Sequence, residues 1–134
     1  MKKTTDSVQT QTAATCLLLS IAKADEILED SELQMVGDIL QEFFKIEKDI
    51  AGKLVQDAQV ELKNATDLFQ FGKQLNREFS QEDKLDFIAC IFEVAYADGE
   101  LHYLEHHTIK KIANILHINR DDLIAANTKI KAFL

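Results

Sequence analysis

The chain has 134 residues, enough for one ordinary domain and too few for two of comfortable size. Hydrophobic residues make up 46% of it, so a core can form without staples, and the absence of proline with only four glycines disfavours a turn-rich sheet protein. Twenty-three acids against fifteen bases give a net charge of −8, a sign that repels phosphate backbones; the densest basic clusters, Lys2–Lys3 and Lys110–Lys111, are not interleaved with aromatics, so nucleic-acid binding is not expected.

Helix signals run from end to end. The first helix is predicted over about Ser7 to Ala24, with Leu17, Leu18 and Ile21 as its buried stripe and Ala14 and Cys16 widening it. Lys2–Lys3, the apolar run Ala13 to Ala22 and Ala22-Lys23-Ala24 have the outline of a secretory leader. Polar Asp6, Gln9 and Gln11 separate the basic start from that run, and the same pattern recurs internally, where Ala95-Tyr96-Ala97 follows Ile91-Phe92. The run is also well short of the ~20 residues of a membrane span. Neither export nor direct membrane insertion is expected.

A second helix is predicted from near Ser31, with Leu33, Val36, Ile39, Leu40 and Phe43 at helical spacing. A third begins after Glu47, its inner face formed by Ile50, Leu54, Val55 and Ala58. Lys63-Asn64-Ala65-Thr66 reads as a break, with Thr66 as N-cap of a fourth helix carrying Leu68, Phe71, Leu75 and Phe79. Phe69 beside Leu68 adds more apolar surface than one stripe needs, so this helix is a candidate partner-binding face as well as core. Ser80-Gln81-Glu82-Asp83 is a capping sequence for a fifth helix. Its residues Leu85, Ile88, Ala89, Ile91, Phe92, Val94 and Ala95 leave little polar face, which places it in the middle of a bundle. Asp98–Gly99 ends it, a sixth helix covers about His102 to Leu116, and Asn119 caps a seventh carrying Leu123, Ile124, Ile130 and Phe133. The expected fold is an all-α bundle of about seven helices in a single domain over residues 1–134.

Cys16 and Cys90 lie inside apolar helical runs without a CxxC spacing, so neither a zinc knuckle nor a redox pair is available. Buried, unreactive thiols in a reduced cytoplasmic protein are the expectation.

Sliding the sequence on itself by 73 residues aligns Ala22/Ala95, Ala24/Ala97, Asp25/Asp98, Leu28/Leu101, Glu32/Glu105 and Ile39/Ile112 as identities. Leu18/Ile91, Ile21/Val94, Val36/Ile109 and Phe43/Leu116 are conservative. After a one-residue slip Ile46-Glu47-Lys48-Asp49 matches Ile118-Asn119-Arg120-Asp121. The chain thus reads as two pseudo-repeats, about 7–62 and 80–134, each with A-x-A-D, a short corner and a Glu seven residues after the Asp. Capping accounts for Asp98–Gly99 and the helix dipole for Glu105, but neither explains why both recur at one spacing.

Ala95-Tyr96-Ala97-Asp98-Gly99-Glu100-Leu101, the Glu at 105, Ile112-Ala113-Asn114-Ile115-Leu116-His117-Ile118 and the acidic start at Asp121–Asp122 together resemble the TerB-like domain. That domain occurs in tellurite-resistance proteins and at the N-terminal side of DjlA-type co-chaperones. The resemblance implies an all-helical bundle linked to envelope or chemical stress, with acidic residues that bind metal: Asp98 and Glu105, and Asp25 and Glu32 as their pseudo-symmetric partners. The first corner departs from the pattern with Glu26 where the second has Gly99, and the chain contains no J-domain, so a co-chaperone role is not carried over.

Converging carboxylates suit a hard divalent cation, Ca²⁺, Mg²⁺ or Mn²⁺, before zinc. Asp98-Gly99-x5-Glu105 fits the back half of an EF-hand, but Val94 and Tyr96 stand where the front half needs acids. His102-Tyr103-Leu104-Glu105-His106 is a formal H-x-x-E-H, whose two histidines would share a helical face and could capture zinc opportunistically with His107 alongside. A hydrolytic site is not expected, because Glu105 already belongs to the repeat and only 28 residues follow His106. Two functions stay open: a non-enzymatic, cation-binding, stress-associated module, or a metal-free protein-interaction scaffold whose acids organise helix ends.

Overall fold

The structure, a computed structural model, describes residues 7–22, 29–97 and 101–133. Among these residues it contains seven α-helices and no strand: α1 (Val8–Ala22), α2 (Asp30–Phe44), α3 (Lys48–Asn64), α4 (Phe69–Glu78), α5 (Gln81–Ala95), α6 (Tyr103–Ile115) and α7 (Arg120–Lys131). No described helix is long and apolar enough to cross a membrane.

The centre of the bundle is α1. Eleven of its fifteen residues are buried, and it packs against α2, α3, α4, α5 and α6. The sequence places α5 there instead, with α1 burying only a stripe. The difference lies in the polar residues of α1, which find partners within α1 and on α4. Thr15 Oγ1 donates to the Gln11 carbonyl at 2.7 Å, and buried Thr10 accepts from Gln74 Nε2 at 3.1 Å, so neither needs water. Helix α5 is the second layer, packed against α1, α2, α6 and α7.

Both inner helices start on a serine. Ser80 Oγ accepts from the Asp83 N–H at 3.1 Å, while Asp83 Oδ2 accepts from the Ser80 N–H at 3.0 Å, a reciprocal cap. Ser7 Oγ likewise accepts from the Thr10 N–H at 3.1 Å, but Thr10 stands where Asp83 does and offers no carboxylate. Glu78, the last residue of α4, supplies it from outside: Oε1 accepts from the Ser7 N–H at 3.1 Å and Oε2 from its hydroxyl at 2.7 Å. One side chain therefore joins the end of α4 to the start of α1.

Helices α2 and α6 end alike. Lys45 and His117 take left-handed backbone conformations (φ 57° and 60°), and the next residue's N–H reaches back five residues, Ile46 to Gln41 at 3.3 Å and Ile118 to Ala113 at 2.9 Å. This is the Schellman geometry normally given to glycine; here each strained residue is followed by an isoleucine that packs on the core. Helix α4 begins without a side-chain cap of its own. Asp67 Oδ1, not the expected Thr66, accepts from the Phe69 N–H at 2.8 Å.

Four phenylalanines, Phe43 and Phe44 from α2, Phe79 after α4 and Phe87 from α5, stack ring to ring with centroids 5.0 to 6.4 Å apart. They lock three helices together at one end of the core. The outer helices bury less than their sequences suggest. Ile50 is half exposed, so Ala51 joins Leu54, Val55 and Ala58 as the inner face of α3. In α7 no residue is fully buried: Leu123 and Ile130 only lean on the core, Ile124 faces water and Phe133 is 79% exposed.

Helices α4 and α6 approach closely at Gly72, where an added Cβ would overlap Ile115 Cγ2, with Ile115 Cβ 3.2 Å away. Gly72→Ala should therefore cost about 1–3 kcal/mol by overpacking, whereas Gly52→Ala on α3, with open space around it, should stabilise by about 0.5–1 kcal/mol. Urea midpoints measure both, and a stabilised Gly72→Ala variant would refute the close approach. Glu78→Ala should cost about 1–2 kcal/mol through the two lost charge-assisted bonds to Ser7. An unchanged midpoint in that variant would show that the start of α1 does not depend on α4.

Candidate functional site

The site is built where two helices begin beside the end of a third. At the start of α2, Glu29 is the N-cap in extended conformation, and its N–H donates to Glu32 Oε1 at 3.1 Å. At the start of α6, His102 occupies the same role with nearly the same backbone angles, and its N–H donates to Glu105 Oε1 at 3.0 Å. Glu32 and Glu105 are thus each the third residue of a helix, reaching back to cap it. This is the physical meaning of the acid that recurs at one spacing: it satisfies an orphan donor in the first turn and sits at the positive end of a helix dipole.

The two acids also face each other's neighbourhood. Glu29, Ser31 and Glu32 from one helix start, and His102 and Glu105 from the other, line a single cleft of about 170 Å³. Its remaining wall is Val94, Ala95 and Ala97, the last turn of α5 and the residues after it. Glu105 is 6% exposed and Glu32 half-buried, so both carboxylates are partly withdrawn from water. Of the four expected metal ligands, then, Glu32 and Glu105 are brought to one place. Asp25 and Asp98 lie outside the described residues, as do Lys23 and Gly99. Among the described residues no group of three or more His, Cys, Asp or Glu side chains is arranged to hold a metal ion. The cleft's three carboxylates are hard oxygen donors of the kind that Ca²⁺, Mg²⁺ or Mn²⁺ takes; Glu32 and Glu105 are two of the four expected ligands, and Glu29 is not among them.

Comparison with known proteins gives the family. The family described as tellurite resistance protein TerB matches residues 11–128, from the first turn of α1 to the last turn of α7. The chain belongs to the TerB family. No curated protein and no solved structure matches it.

Within this TerB chain the H-x-x-E-H motif lies at a helix start, with His102 as the N-cap of α6. His102 precedes the first helical residue, with φ −80° and ψ 155°, so it and His106 do not share a helical face. Glu105 is turned back on His102's own N–H, and His106 and His107 are exposed on α6. The motif is a capping sequence that happens to contain histidines.

Both cysteines are free thiols. Cys16 is fully buried in α1 and donates to the Ala58 carbonyl at 3.6 Å. Burial, with a smaller push from Glu61, raises its pKa to about 12. It stays a thiol at any ordinary pH. The α4 face is split: Phe71 and Leu75 are core, while Phe69 is 58% exposed.

Since only the thiolate attacks, iodoacetamide should leave Cys16 unmodified in the folded protein at pH 8 and label it fully in denaturant. Peptide mass mapping reads this out. Modification of native Cys16 at the rate of a free thiol would mean that α1 is not enclosed.

Proposed function

We propose that this TerB-family chain is a non-enzymatic binding module whose acidic corner takes up a divalent cation as part of a response to chemical stress. Glu105 and Glu32 would hold the ion together with Asp98 and Asp25, and Ca²⁺, Mg²⁺ or Mn²⁺ suits such oxygen donors better than zinc. The observation that supports this most is the shared cleft: two acids 73 positions apart in sequence line one small, partly dry space. Membership of a tellurite-resistance family supports the link to stress. A cytoplasmic site of action is part of the same reading.

A second reading has its own support. Both acids already serve as helix caps, each through Oε1. Capping alone would keep them in place in a metal-free scaffold.

Glutamine separates the two, because its amide oxygen can still accept the N-cap bond while the charge is gone. The cation reading predicts that Ca²⁺, Mg²⁺ or Mn²⁺ raises the melting temperature. At a hundredfold excess over Kd the gain is about 2.7 kcal/mol, on the order of 10 °C for a chain of this size. Glu105→Gln should melt close to the parent without cation and lose most of the shift, and so should Asp98→Ala. The scaffold reading predicts no shift with any of the ions in either protein. An equal shift in parent and Glu105→Gln would place the cation elsewhere.

A further inference from the structure

A second concave surface lies between α2, α5 and the end of α7, and no residue of the acidic corner other than Ala97 borders it. The groove has a volume of about 600 Å³. Its walls are apolar: Met35 and Ile39 from α2, Ala89 and Cys90 from α5, Ile130 and Phe133 from the C-terminal end. Helix α7 buries no residue fully and is tied to the end of α5 by a hydrogen bond from Tyr96 Oη to Asn127 Oδ1 at 2.7 Å. Phe133 borders the groove yet leaves 79% of its surface in water, a large ring presented rather than packed.

The rim is charged with one dominant sign. Among the described residues, Glu42, Asp86 and Glu93 line it with one cation, Lys129. Glu93 is raised above the ordinary carboxylate range by desolvation first and by Glu42 second, with Lys129 pulling the other way. Two carboxylates therefore repel each other beside an apolar surface, and a cation placed between them would relieve that repulsion. Anionic partners, including an acidic lipid surface, are disfavoured by the same rim and by the net charge of −8.

We propose that this groove docks a basic amphipathic segment of a partner protein, its apolar side chains on Met35, Ile39, Ile130 and Phe133 and its lysine or arginine between Glu42 and Glu93. Helix-in-groove recognition has this division of labour, with apolar anchors for affinity and charge for orientation and selectivity. The proposal does not rest on the cation site, which uses other side chains.

The test is fluorescence anisotropy of the full chain with a labelled helical Leu/Lys peptide and its Leu/Glu counterpart of equal length. Saturable binding of the first and none of the second is expected. Glu42→Gln with Glu93→Gln should weaken binding about tenfold, and Phe133→Ser, at an exposed position, several-fold. Glu61→Gln on α3 removes the same kind of charge away from the groove and should change little. Equal weakening by Glu61→Gln and the double variant would reduce the effect to overall acidity and overturn the proposal. So would equal binding of both peptides, or no binding of the Leu/Lys peptide at 100 µM (roughly −5.5 kcal/mol on the affinity scale, at the weak end of specific recognition). Sedimentation showing a dimer that Phe133→Ser dissolves would also overturn it, since a second copy would then cover the groove.

Discussion

The fold depends on surrounding α1. A helix with eleven of fifteen residues out of water cannot lie on a surface, and five other helices pack around it. The first-turn N–H groups of any helix lack intrahelical partners, and each one left unpaired where it is buried would cost about 1–3 kcal/mol. Ser7 and Glu78 meet that demand from two different elements. The end of α4 is therefore fixed by the start of α1, and the close approach of α4 to α6 at Gly72 carries the constraint to the sixth helix. Positions of α2 and α6, on which the acidic corner stands, follow from the packing of a helix that contributes no residue to the corner.

The helices themselves were legible because their periodicity is strong and their caps are local. Ser80 and Asn119 announce α5 and α7, and both side chains make the expected bonds, Ser80 to Asp83 and Asn119 to the Asp122 N–H at 2.8 Å. What was not legible depended on contacts across the fold. Thr10, Gln11 and Thr15 look like the polar face of an amphipathic helix, and only their partners on α1 itself and on α4 show that the face is buried. Thr66 is as good a cap as Asp67 on composition; the loop geometry chooses Asp67. His102 and His106 have helical spacing, but the helix begins one residue after His102.

The 73-residue offset reaches back to the start of α1. Ser7 and Ser80, at the same offset, both cap the helix that follows, as the bonds to Thr10 and Asp83 show. The signal was present as one more identity, diluted by the unlike residues around it. Val8 and Gln81 begin their helices at that offset, as do Asp30 and Tyr103; Lys48 and Arg120 begin theirs one residue closer, after the left-handed Lys45 and His117. The slip in the sequence alignment thus falls at a matching helix end, where α6 stops two residues sooner than its counterpart. Equal helix starts do not by themselves make a shared site. The acids meet because both helices begin against the same turn of α5.

That turn sets the electrostatics of the corner. Two helix N-termini direct partial positive charge at Glu32 and Glu105, and the C-terminal end of α5, with its opposite partial charge, closes the cleft between them. Carboxylates held at helix starts are favoured as anions and oriented before any ligand arrives, so the cost of ordering them is already met by folding. The same arrangement opposes a cation, because each helix start has compensated its acid in part. Ala97 borders this cleft on one side and the α2/α5/α7 groove on the other. Cation uptake and peptide docking would therefore press on one turn, and any effect of the first on the second must be returned in equal measure by the second on the first.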